Sequence, residues 1–149
     1  PFVLPAEVLY SEVPRPRYEG WETQRYLDDP GIVERVAEMR EGSDALLAAH
    51  GYVREGVLYR IAPGSQDHLA VVCHGGLGAT WLGHLLNLPM VAAWAGLYVA
   101  CASVTTLIME ERGGAYAYPR MIRMGDLTHT RLAGLPDSYR GLPGLAKRP

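Results

Sequence analysis

The sequence predicts an α/β fold, a mostly parallel sheet with flanking helices, and three observations predict it. Leu69 to Cys73 form an uninterrupted, valine-rich apolar run, the pattern of a strand buried on both faces of a parallel sheet. The run stops at His74, Gly75 and Gly76, after which Leu77, Trp81, Leu82, Leu85 and Leu86 recur at helical spacing. No Asp, Glu, Lys or Arg occurs from Leu69 to Met109, so this stretch suits a core. A strand, a glycine turn and a helix in succession form a corner of the kind at which open α/β sheets bind ligands. The new helix offers unpaired N–H groups and the positive end of its dipole, a setting for an anion. His74, the last residue of the expected strand, would face a phosphate there.

The remaining elements follow in order. Residues 1–20 carry Pro1, Pro5, Pro14 and Pro16, and only Glu7 to Glu12 could form a short strand. VPRPRYEGW is a loop by its prolines and glycine, and it gathers Arg15 and Arg17 near Glu12. Asp28, Asp29 and Pro30 mark a helix start. Its apolar positions are Ile32, Val36, Met39, Leu46 and Leu47, with Gly42 and Ser43 weakening its middle and Gly51 ending it. Arg54, Glu55 and Gly56 suit a turn, and Val57 to Ile61 alternate in β fashion, so a small hairpin precedes the central strand. Asn87, Leu88 and Pro89 end the next helix, and a second short one covers Val91 to Tyr98. Ser103 to Glu110 are β-branched and strand-like. Tyr116 to Arg123 supply a partner strand, placed at the sheet edge because Pro119 interrupts it. Residues 1–131 read as one domain and 132–149 as a loose tail.

Composition narrows the function. At 149 residues the chain is long enough for one buried core. A net charge of -2 argues against a nucleic-acid footprint. The charge-free stretch is broken by Gly75, Gly76, Gly78, His84, Asn87 and Pro89 into pieces shorter than the ~20 residues of a membrane span. Cys73 and Cys101 are the only cysteines and form no C-x-x-C pair, which points to free thiols in a reducing, cytoplasmic setting. Trp81 stands where a dinucleotide-binding G-x-G-x-x-G beginning at Gly76 needs Gly or Ala, and no G-K-S/T follows the glycines. His74, His84 and His129 lack metal-ligand spacing, so neither a metal nor a cofactor is expected.

VVCHGG (71–76), HLLNLP (84–89), CASVTTL (101–107) and GDLTHT (125–130), in that order and at fitting intervals, resemble the later half of the histidine phosphatase superfamily, the phosphoglycerate-mutase-like proteins. The resemblance covers roughly residues 68–130. It implies a three-layer sandwich and phosphoryl transfer to a histidine of an R-H-G motif. A nitrogen nucleophile divides one difficult displacement into two, fixed cationic donors stabilise the transferring group, and a carboxylic acid protonates the leaving oxygen. His74 matches the family's second, phosphate-binding histidine, assisted by Gly75 and Gly76, with Arg15 and Arg17 as further phosphate ligands. Glu12 is the nearest match to the acid, and Glu19 and Glu22 are its rivals. Asp126 and His129 match the closing motif and are expected to form a hydrogen-bonded pair.

The chain departs from the family at its start. No R-H-G occurs, and His50-Gly51 is preceded by Ala49 and ends a helix. The family's first strands would lie before Pro1. That opening segment has been removed, or is supplied by another polypeptide, or was lost in a shortened descendant without chemistry. The expectations are a phosphomonoester phosphatase or phosphomutase when complete, inactive as this chain alone, or else a non-catalytic phosphate-binding or interaction module. Its partners would be a small phosphorylated substrate or inorganic phosphate, with no nucleic acid and no membrane. The bare sheet edge would self-associate or pair with the missing segment.

Overall fold

The computed structural model describes residues 20–23, 31–62, 67–111 and 113–142. After a single turn at Trp21–Thr23 comes α1 (Gly31–Ala49), then the hairpin β1 (Tyr52–Glu55) and β2 (Leu58–Ile61). Helices α2 (Gly75–Leu85) and α3 (Met90–Gly96) follow, then a second hairpin, β3 (Val104–Glu111) and β4 (Tyr116–Asp126), and the short α4 (Thr128–Leu132). The strands form one sheet in the order β1-β2-β4-β3, and every pair is antiparallel.

This overturns the mostly parallel sheet and with it the three-layer sandwich. Residues 69–73, read as the central buried strand, belong to no strand, and Leu69, Val71 and Val72 are exposed, Val72 by 99%. A parallel strand is held only by neighbours brought alongside through long crossovers, and none of the described strands lies along this run. What the chain pairs are its two hairpins, whose turns bring sequence neighbours together. Cys73, expected inside, is likewise exposed.

Local chemistry accounts for the helices. The α1 helix runs unbroken for 19 residues. Gly42 lies on its exposed side and Ser43 is buried, where its hydroxyl accepts from Trp81 Nε1 at 2.6 Å, so neither residue divides it. Gly51 ends it with φ of 87°, a left-handed conformation in which glycine carries no penalty, and the Gly51 N–H reaches the Ala48 carbonyl at 3.1 Å. Asn87 does the same for α2, with φ of 54°. The Asn87 N–H bonds the His84 carbonyl and the Leu88 N–H bonds the Gly83 carbonyl, a Schellman closure.

Pro119 is fully buried and sits in β4, an interior strand, where the sequence placed it at an edge. β2 pairs with β4 only at Tyr116 and Ala117. The Ala115 carbonyl accepts from Ile61 on the β2 side, and residues of the same parity, Pro119 included, turn their backbone groups that way, past the end of β2. The missing N–H therefore removes no ladder bond.

Two apolar clusters lie under the sheet and helices. Trp21, Val36, Met90, Val91 and Trp94 form one, with the Trp21 and Trp94 rings packed edge to face at 5.0 Å. Leu47, Tyr52, Tyr59, Leu85 and Ala117 form the other. Gly83 lets α2 and α3 meet: a Cβ there would stand 2.9 Å from Ala93 Cβ and 3.5 Å from Met90 Sδ. The opposite face of the second hairpin leaves Ile108, Tyr118 and Ile122 exposed. Gly83→Ala is expected to lower stability by about 1–3 kcal/mol, the usual cost of overpacking, read as a lowered urea midpoint with an unchanged slope.

Candidate functional site

His74 is the residue that caps α2 at its N-terminus, with extended backbone (φ -85°, ψ 155°) and no side-chain capping bond. Its side chain is exposed. The first turn behind it is braced from inside. The Gly76 carbonyl accepts from Thr80 Oγ1 at 2.8 Å, and that hydroxyl accepts from Trp94 Nε1 at 2.9 Å. Trp94 in turn carries Trp21. Val99 closes the other side, its carbonyl oxygen 3.0 Å from where a Gly75 Cβ would stand, and its methyls 3.5 Å from the same position on Gly78. The glycines therefore serve a close approach of the 99 segment as well as leaving the first-turn amides of α2 open, as at any helix start.

Of the other expected site residues, Glu12, Arg15, Arg17 and Glu19 lie outside the described residues. Glu22 is exposed, on the turn that Trp21 anchors against Trp94. His50, the histidine before Gly51, pairs through Nδ1 with Asp67 Oδ2 at 2.7 Å, at the far end of α1. Among the described residues, no three His, Cys, Asp or Glu side chains come together as a metal ion requires, and no helix is long and apolar enough to cross a membrane.

Asp126 does not pair with His129. One carboxylate oxygen accepts from the Thr128 N–H at 2.8 Å and the Thr128 hydroxyl at 2.6 Å, and the other takes Arg123 Nη1 at 2.8 Å. Two residues separate Asp126 from Thr128, the reach of an aspartate that bonds the backbone just ahead of it. The imidazole of His129 points into an exposed position on α4. These bonds, those from Thr128 first, hold the Asp126 pKa down at about 2.

A second constellation had no signal in the sequence. Arg54, read as a turn residue, lies on β1 and reaches across the molecule. Its guanidinium donates to Tyr59 Oη at 2.6 Å, to the His84 carbonyl at 3.0 Å and to Asn87 Oδ1 at 3.0 Å, and lies 3.7 Å from Asp44 Oδ2. Asp44 Oδ1 accepts from His84 Nε2 at 2.9 Å. The partners at the end of α2 lie 30 to 40 residues from those on β1 and α1, which leaves no spacing to recognise.

Comparison of the chain with protein-family models, with curated proteins and with solved structures finds no match.

The Asp126 bonds set an acid dependence. Because its folded pKa lies below the ordinary 3.8, the carboxylate contributes stability above that value and loses it as the pH falls towards about 2. In melts recorded across that window, Asp126→Asn should show a shallower acid decline than the wild type.

Proposed function

We propose that the corner at His74 binds the phosphoryl group of a small phosphomonoester, in a phosphatase or phosphomutase that acts through a phosphohistidine whose nucleophile lies on a segment outside this chain. The observation that carries this reading is the open position of His74: an exposed imidazole at the start of an 11-residue helix, beside first-turn amides and on a first turn braced from beneath. A tetrahedral dianion there would meet the His74 ring and the N–H groups of Gly75 and Gly76, with the helix dipole in the favourable sense. The motifs that resemble histidine phosphatases support the reaction class. Arg15, Arg17 and the acid, Glu12 or a rival, belong to this proposal on the same ground.

The unpaired run at 69–73 fits the same reading. It is β-branched, apolar and without a neighbouring strand among the described residues, and β3 is a terminal strand of the sheet. A segment bearing the nucleophile, or a second copy of the chain, would cover this apolar surface. The free, exposed thiols of Cys73 and Cys101 suit a reducing, cytoplasmic compartment. The absence of R-H-G from the sequence favours, as a second reading, a phosphate-binding module without chemistry.

Inorganic phosphate and vanadate titrations separate these readings from no binding at all. Saturable binding is expected, weakened about tenfold or more by His74→Ala, as loss of a charge-assisted hydrogen bond predicts. The chain alone should not hydrolyse para-nitrophenyl phosphate. Turnover that disappears in His74→Ala would move the nucleophile to His74, and phosphate binding unaffected by that substitution would remove the site.

A further inference from the structure

His84 lies in the last turn of α2 with only 2% of its surface exposed. The groups facing it come from every element packed around it. From α1 come Asp44, bonded to Nε2 at 2.9 Å, and Arg40. From β1 comes Arg54, whose Nη2 bonds the His84 carbonyl at 3.0 Å and whose Nε lies 3.7 Å from Asp44. Helix α3 carries no charged side chain. Among the described residues the sheet adds the hydroxyls of Tyr59, on Arg54, and Tyr118, on the Leu86 carbonyl.

An ionised Asp44 accepts only from a protonated Nε2, so the neutral ring carries its proton there and donates it. In that state Asp44 accepts from the ring and lies 3.7 Å from the Arg54 guanidinium. We propose that the His84–Asp44 pair is an acid-sensitive clasp: it fastens α2 to α1 while the imidazole is neutral, and loosens when the ring takes a second proton. The added charge would be buried, with Arg54 and Arg40 opposing it and, among the described residues, Asp44 attracting it. Burial is the largest influence and, with Arg54 and Arg40, outweighs Asp44, so the pKa of His84 lies below the ordinary 6.5.

The sign follows. As the pH drops below 6.5, the unfolded chain takes up its proton before the folded one, so stability declines until the folded-state pKa is passed and then levels. Each unit by which that pKa is depressed lowers the folding equilibrium constant about tenfold. His74 caps the start of α2, so acid would also slacken the candidate phosphate corner. That corollary rests on the proposed function, whereas the clasp does not.

The test follows the ring of His84 by NMR in the wild-type chain, with thermal melts of the wild type, His84→Gln and His129→Gln between about pH 7.5 and 5.5. The expected result is a His84 ring that titrates below 6.5, a wild-type midpoint that falls with pH, and amide exchange at residues 82–86 that quickens in step. His84→Gln, which keeps a donor for Asp44 but no titrating ring, should flatten the decline, and the exposed-site control His129→Gln should not. A His84 ring titrating at or above 6.5, or a His84→Gln slope equal to that of the wild type, overturns the clasp. Should His84→Gln fail to fold, the wild-type ring titration decides alone.

Discussion

The guanidinium of Arg54 is the fastening on which the described structure depends. The two apolar clusters hold five buried residues each, and small cores stabilise little. Between them runs a polar seam: Ser43 with Trp81, Asp44 with His84, and Arg54 with Tyr59, His84 and Asn87. Arg54 hydrogen-bonds β1 to the C-terminal turn of α2 and stands beside Asp44 on α1. Its planar guanidinium spreads five donors over three nitrogens in fixed directions, where a lysine would offer three donors on a single nitrogen. The Tyr59 ring beneath it, 5.0 Å from the guanidinium carbon, adds a cation–π contact in a desolvated setting.

How far the sequence could be read follows from the range of each interaction. Helix α2 was legible because leucines at helical spacing, a glycine start and an Asn-Leu-Pro end are all local. Both hairpins were legible for the same reason, although the turn between β1 and β2 is confined to Gly56 and Val57, beginning two residues after Arg54, and leaves Arg54 on the strand. The sheet was not legible. LAVVC reads as buried because apolar runs usually are, but a run is buried only if something covers it, and its covering is a matter of distant chain. Pro119 misled in the same manner: its tolerance depends on where β2 stops, which no property of Pro119 records.

The site divides along the same line. The sequence places His74 between a strand and a helix; the helix follows it, but no strand immediately precedes it. The expected bond between Asp126 and His129 failed because Thr128, two residues on, offers the carboxylate a backbone N–H and a hydroxyl together. The brace of Gly76, Thr80 and Trp94 beneath His74 was not foreseen, since its members belong to two helices whose crossing is set by Gly83.

The bare run at 69–73 has a practical side. Five successive residues without charge or proline, three of them Leu or Val and one of those almost wholly in water, match the short segments from which steric zippers grow. Whenever that stretch is left unclothed, stacking of one molecule's ribbon upon the next competes with solubility, and the nearest residues able to interrupt such stacking are Asp67 and His68 on one side and the glycines on the other. The strip that leads into the corner at His74 is thus also a segment suited to such stacking.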